Sequence, residues 1–380
     1  MEENIRNMRR RLSPASLLTD DLVIHILSRV PYISLCRFKC VSKSWLALCS
    51  DPEIRKKSPQ TLSGFFYRSI TTESRHCEFR REFTNVSGRG QPMVDPSLSF
   101  MPSYYKILLI DSSNGLLLCR CATSFPKREY FHVVCNPATK NWIRLPETEA
   151  EKMARSHIVR LAFDPAASSH FRVFLLVSHR PGPNTDVTGV EVYSSKTGAW
   201  TYRQSGWGRD CRVDSASRSV LYNGIMHFAT VSSSVVTVDM ELNRWGEIPA
   251  PQETNSSCLI GLSQGHLHFV QLHNSEDRHL SVWALEDYHT QHWILKHSVS
   301  TVPLPEWRHV HFPGYREVIA IHPDRHLIFF HAGWRGNSDC IVSYDMDSGV
   351  VKAICPPGPS CAFTYIPYVP CFSKWLSDEN

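Results

Sequence analysis

No stretch of this sequence is apolar for long enough to cross a bilayer as a helix, which takes roughly eighteen residues with few or no charges. The opening MEENIRNMRRRL is polar and charged, so it lacks the apolar centre of a secretory signal. There is no C-x-x-C pair, and the 13 cysteines are odd in number and irregularly spaced. That argues against a zinc module or a disulfide framework and for reduced thiols, and so for a cytoplasmic and/or nuclear protein. No glycine-rich loop carries the lysine of a phosphate cradle; SGRG at Ser87–Gly90 lacks both the lysine and a strand–loop–helix setting. The carboxylates are scattered, and none pairs up as an acid–base couple. Basic excess is missing from most of the chain as well. Residues 1–60 hold 11 Lys and Arg against 6 Asp and Glu, whereas the remainder holds 30 of each. A nucleic-acid binder would put a basic surface on its large domain. Neither nucleic acid nor membrane is therefore expected as a partner, and no cofactor, metal or catalytic residue is singled out.

What is present begins with LTDDLVIHILSRVPYISLCRFKCVSKSW, from Leu18 to Trp45. Thr19 is a plausible helix cap, with Asp20 and Asp21 in the first turn where the helix dipole favours negative charge. Leu22, Val23, Ile26, Leu27 and Val30 fall on one stripe at helical spacing, and Pro31 stops the run. The spacing predicts a second helix from Ser34 through Leu35, Phe38 and Val41. A third is expected to be capped by Ser42, to carry Trp45, Leu46 and Leu48, and to end at Asp51-Pro52. A unit of about forty residues buries its own core poorly without a disulfide, metal or partner. The expected reading is a helical plug for another protein.

This head resembles an F-box, in the plant form that ends in RFKCVSKSW. The resemblance implies docking on a Skp-type adaptor and, through it, on a cullin–RING ubiquitin ligase. The family's pattern falls on Leu18, Leu22, Ile26, Leu27, Pro31, Leu35, Val41 and Trp45. One departure is Thr19 where the family has proline, which keeps a capping hydroxyl but loses a fixed φ.

The rest of the chain repeats itself. SSNGLLLC, LYNGIMHFA, LSQGHLHFV and HPDRHLIFF each join a short turn to an apolar strand, with turns at Asn114-Gly115, Asn223-Gly224, Gln264-Gly265 and Asp324-Arg325. Asn-Gly is a strong hairpin signal because a type I′ turn needs positive φ at both positions. Trp142, Trp200, Trp245 and Trp293 recur at intervals of 58, 45 and 48 residues. That is near the roughly 40–50 residues of a four-stranded propeller blade. Five blades are legible between about Lys106 and Ile354. A weaker one lies in GFFYRSITTESRHCEFRREFTNVS, and the C-terminal CAFTYIPYVPCF is expected to return and close the ring with it. The fold expected is mainly β: a helical F-box followed by an about six-bladed β-propeller. A disordered basic tail over 1–14, a helical module over 15–58 and a propeller over 59–380 are the expected boundaries. The second part is similar to the F-box-associated, kelch-like domain of plant F-box proteins.

Several patterns imitate chemistry. GLSQG at Gly261–Gly265 matches a nucleophile elbow around Ser263, but HLHFV follows as a strand where the elbow needs a helix. Cys119 with Cys121, His266 with His268 and His309 with His311 share strand faces, without the remaining ligands of a metal site. The expected role is a non-catalytic adapter: the substrate-recognition subunit of a Skp–cullin–F-box ubiquitin ligase, whose propeller loops grip an unknown protein target. Candidate loops are SHRPGPNTDVTG, LHNSEDRH and HAGWRGNSD. The alternative is a propeller enzyme or carbohydrate-binding module with a helical assembly segment. Ionisable groups converging in the central channel would favour that alternative.

Overall fold

The structure, a computed structural model, describes residues 20–27, 30, 32–51, 54, 61–73, 76–89, 91–123, 129–148, 158–178, 186–208, 210–232, 234–252, 258–273, 279–300, 310–311, 318–334, 337–354, 361–372 and 375. The chain divides into two compact units, Met1–Thr61 and Leu62–Asn380. No helix among the described residues is long and apolar enough to cross a membrane.

The first unit is helical: α1 (Asp20–Leu27), α2 (Tyr32–Phe38) and α3 (Lys43–Ser50). Ser42 caps α3, its Oγ accepting from the Trp45 backbone N–H at 3.2 Å, and Asp51 ends the helix. The second helix departs from expectation. It starts at Tyr32, ahead of Ser34, and Val41 lies in the turn that follows it. Ser34 therefore lies within the helix and not at its cap. Thr19 and Pro31 lie outside the described residues.

The second unit holds six antiparallel sheets. Blade 1 joins β1 (Gly64–Glu73) and β2 (His76–Asn85) to the C-terminal β24 (Cys361–Tyr368). Blade 2 is β3 (Lys106–Ser113), β4 (Leu116–Ala122), β5 (Tyr130–Asn136) and β6 (Asn141–Arg144). Blade 3 is β7 (Ile158–Ala162), β8 (Arg172–Ser178), β9 (Val187–Ser194) and β10 (Ala199–Gln204). Blade 4 is β11 (Ser219–Tyr222), β12 (Ile225–Ala229), β13 (Ser234–Asp239) and β14 (Trp245–Pro249). Blade 5 is β15 (Cys258–Ser263), β16 (His266–Leu272), β17 (His279–Asp287) and β18 (His292–Ser300). Blade 6 is β19 (Val310–His311), β20 (Val318–Ile321), β21 (Leu327–Trp334), β22 (Asn337–Asp345) and β23 (Val351–Ile354), with β19 and β20 both pairing with β21.

One strand of each blade touches its counterparts on both sides, in the order β24, β3, β7, β11, β15, β20 and back to β24. The ring therefore closes, and it closes on the last strand of the chain. The expected return of CAFTYIPYVPCF to the first blade is what the pairing of β24 with β1 shows, with Gly64 opposite Tyr368 and Ile70 opposite Cys361.

Blade-to-blade packing explains why the inner strands read as apolar runs rather than alternating ones. On β4, Leu116 and Leu118 join a cluster with Val173 and Leu175 of blade 3, while Leu117, Cys119 and Cys121 join one with Phe66 and Ile366 of blade 1. Both faces of the sheet are buried, so both strand parities must be apolar. Each of the six interfaces has its own cluster of this kind. Blade 1 has three strands; in place of a fourth, Leu98, Met101 and partly buried Phe100 and Tyr104 pack against Phe66 and Phe83. Arg81 anchors that segment, donating to the Ser97 carbonyl at 2.6 Å and the Ile107 carbonyl at 3.3 Å.

Three of the four expected hairpins have positive φ at both turn residues: Asn114 and Gly115, Asn223 and Gly224, Gln264 and Gly265. The fourth, at Asp324-Arg325, does not. There the buried His322 ring accepts the Asp324 N–H at its Nδ1, 3.0 Å away, and holds the connection between β20 and β21 instead. The recurring tryptophans sit half-buried on the outermost strands β6, β10, β14 and β18. The Trp200 and Trp293 indoles donate to the carbonyls of Pro146 and Pro249, at 2.8 and 2.9 Å. Eight described cysteines are free, as the expectation of mainly reduced thiols has it, and Cys340 is disulfide-bonded.

The turn glycines differ in what surrounds them. A Cβ on Gly115 would lie 2.2 Å from Cys371 Cβ and 2.4 Å from its backbone nitrogen, whereas one on Gly224 meets nothing within 4 Å. Gly224→Ala is expected to cost about 1 kcal/mol, the strain of the left-handed backbone alone. Gly115→Ala adds overpacking and should cost about 1–3 kcal/mol more. Urea unfolding of the two variants measures this, and equal losses would contradict it.

Candidate functional site

The head sorts its apolar residues into two sets. Leu27, Leu35, Cys49 and Ile54 are buried. Leu22, Ile26, Val41 and Leu46 are 50%, 49%, 64% and 48% exposed, a large share for so few residues. Helical geometry accounts for part of this: Leu22 and Ile26 are four apart and therefore share one side of α1, while Leu27 is turned away from Ile26 by one residue. Trp45 is half-buried and meets Phe38 edge-to-face, ring centroids 5.6 Å apart. Of the eight residues drawn from the F-box pattern, Leu22, Ile26 and Val41 thus face solvent, Trp45 is intermediate, and Leu27 and Leu35 are internal. Leu18 and Pro31 lie outside the described residues. Leu46 is exposed and apolar but absent from the pattern; its place on α3 beside Trp45 was the available signal.

Within the ring, topology sorts the candidate loops. Residues 178–189, 272–279 and 331–339 contain the β8–β9, β16–β17 and β21–β22 connections. Each joins the second and third strands of its blade, counting outward from the axis, so the strand ends they connect share one end of the ring. Much of their length, and the side chain of Trp334, falls outside the described residues.

Ionisable groups do converge near the axis. Asp111 is fully buried on the innermost strand of blade 2 and accepts the Leu161 N–H of blade 3 at Oδ2, 2.9 Å away. Its Oδ1 lies 3.6 Å from Nη1 of Arg218. Arg160 donates to the carbonyls of Val159, Ser215 and Ser217 at 3.0, 3.0 and 2.8 Å. Burial pushes the Asp111 carboxyl up, against the pull of the two guanidiniums, and pushes Arg218 down to about 10. This is one carboxylate among main-chain donors and cations. It offers neither the paired carboxylates of acid–base chemistry nor a nucleophile with a base.

The patterns that imitate chemistry are absorbed by the fold. Ser263 ends β15 at a hairpin, is buried, and donates its hydroxyl proton to the His322 carbonyl at 2.8 Å. Cys119 and Cys121 are buried on β4; the hydrogen bond with neighbouring Cys135, and then burial, raises the Cys119 thiol well above its ordinary value, and burial raises that of Cys121. His268 turns its Nδ1 to the His266 carbonyl, 3.0 Å away. His309 is outside the described residues, as is the side chain of His311. Among the described residues no group of three or more His, Cys, Asp and Glu is placed to hold a metal ion.

A head with three helices among its described residues and exposed apolar side chains, and a six-bladed ring closed by β24, define the class of F-box propeller proteins. An F-box domain profile matches residues 15–57, and the profile described as "F-box protein At3g26010-like, beta-propeller" matches residues 95–354. The chain belongs to that F-box family. Among its relatives in Arabidopsis thaliana, F-box protein At5g07610 is 28% identical over 311 residues, covering 75% of this chain and 71% of its own. F-box protein At5g49610 is 27% identical over 302 residues, covering 75% and 79%. F-box/kelch-repeat protein At3g23880 is 24% identical over 314 residues, covering 76% and 79%.

The division of the head is open to test. Leu27→Ala is expected to cost the helical unit about 2–5 kcal/mol through a buried cavity. Ile26→Ala should stay within about 0.5 kcal/mol. Amide exchange over α1–α3 reads both, and equal effects would contradict the division.

Proposed function

We propose that the chain is the substrate-recognition subunit of a Skp–cullin–F-box ubiquitin ligase. In this reading the head docks on a Skp-type adaptor through Leu18, Leu22, Ile26, Pro31, Val41 and Trp45, with Leu27 and Leu35 shaping the surface from within. The observation that carries it is the exposure of Leu22, Ile26, Val41 and Leu46 in a head of this size. Covering an apolar side chain is worth roughly 25 cal/mol per Å² of apolar surface removed from water. Several such side chains covered together offset much of the roughly 4–15 kcal/mol that association costs.

The ring then holds the target, an unknown protein, by the connections at the end that carries residues 178–189, 272–279 and 331–339. Loops tolerate variation there without disturbing the blades. The subunit's own contribution is proximity: tethering raises the local concentration of target lysines near the charged ubiquitin carrier. No residue of this chain is assigned a catalytic role. Asp111, Arg160 and Arg218 do converge as the enzyme alternative asks, but they supply one carboxylate and no nucleophile or acid–base pair, so the adapter reading is preferred. The cytosol or nucleus is the compartment where this assembly would act.

The test is co-purification of the full chain with a Skp-type adaptor, compared with Ile26→Asp and Val41→Asp together. A stoichiometric complex for the wild type and none for the double variant is expected. Both positions are exposed, so the variant head should keep its helical signal. Equal adaptor binding by the two proteins would overturn the docking surface.

A further inference from the structure

The groups at the ring's axis have an arrangement that no role in target binding explains. Going round the innermost strands, β24 is followed by β3, β7 and β11, and in the other sense by β20, β15 and β11. Blade 1, completed by the C-terminal strand, and blade 4 therefore stand three steps apart either way, on opposite sides of the axis. Arg218 immediately precedes β11 in blade 4. Its Nη2 donates to the carbonyl of Tyr365 on β24. Its Nη1 lies 3.6 Å from Asp111 of blade 2, and Asp111 in turn accepts the Leu161 N–H of blade 3. Arg160 of blade 3 completes the circuit on the carbonyls of Ser215 and Ser217, just ahead of Arg218. The Arg218 side chain is only 20% exposed and that of Asp111 3%.

We propose that Arg218 is a strap: it reaches across the axis and fastens the C-terminal strand into the ring, with Asp111 and Arg160 holding it in place. Physical grounds support a specific device here rather than uniform adhesion. β24 is the one innermost strand not joined to its blade by a hairpin. It is separated from β1 by almost the whole length of the ring, so its docking closes a very long loop and carries that entropy cost alone. A guanidinium is suited to the task. It is planar, always charged, and offers donors in several directions, so one side chain bonds a carbonyl on one blade and a carboxylate on another.

The experiment is amide exchange on the full chain, comparing β24 and β1 with β16 and β17 of blade 5 as an internal reference. In Arg218→Met, exchange over β24 and β1 is expected to accelerate at least about tenfold relative to blade 5. In Asp111→Asn the acceleration should be smaller, because the contact with Tyr365 remains. Removing Arg218 alone strips Asp111 of one of its two cations, which destabilises in its own right. The double variant Asp111→Asn/Arg218→Met separates the two effects. It should regain part of the global stability lost in Arg218→Met while β24 stays fast. Unchanged protection of β24 in Arg218→Met, or equal acceleration in blade 5, would overturn the proposal. If Arg218→Met gives no folded ring, the same comparison on Arg218→Lys decides by the same two readings, since a single ammonium on a shorter reach does not bridge both partners.

Discussion

Burial of both faces of every blade is the constraint on which the ring depends. A sheet with apolar residues at both strand parities has no face it can turn to water, so it needs a neighbour on each side. Six such sheets satisfy one another only in a closed circle, and the six interface clusters are the physical form of that closure. Closure in turn removes the exposed sheet faces without a helical layer, and leaves hydrogen-bonding edges only on the outermost and innermost strand of each blade. It also demands that the first and last parts of the ring meet, which is why β24 travels back to β1.

The same chain solves a burial problem in the opposite way at its start. The ring hides its apolar surface within itself, while the head leaves Leu22, Ile26, Val41 and Leu46 substantially in water. A short helical unit has too little volume to cover them. The ring covers its own apolar surface, and the head, in the proposed reading, is completed by a second polypeptide. That contrast is the physical content of the proposed adapter role: a rigid holder for the target, joined to a surface that asks for a partner.

Much of the ring was legible because its signals are local. Asn114-Gly115 and Asn223-Gly224 announce type I′ turns through backbone sterics alone, and the tryptophans mark the outer strand of four blades. The return of the C-terminal segment was legible from its strand character together with a first blade short of strands. What was not legible depends on contacts distant in sequence. Nothing in the word HPDRHL says that His322, rather than positive φ, holds that turn. The segment that replaces the fourth strand of blade 1 relies on Arg81, and its role appears only when Ser97 and Ile107 come beside it. The axial bond from Arg218 to Tyr365 joins opposite blades and leaves no local trace. In the head, periodicity placed Leu22, Ile26 and Leu27 on one stripe, but only packing divides that stripe into a buried and an exposed part.

The most direct test of the account is to remove the strand on which closure depends. A chain ending at residue 360 lacks β24 and so uncovers the apolar faces that blade 1 shares with blades 2 and 6. Its urea unfolding should begin far below that of the full chain and lose its single steep transition, with a hydrophobic dye binding before unfolding starts. A truncated ring that melts as steeply and at the same midpoint as the full chain would contradict the claim that closure by the last strand holds the fold together.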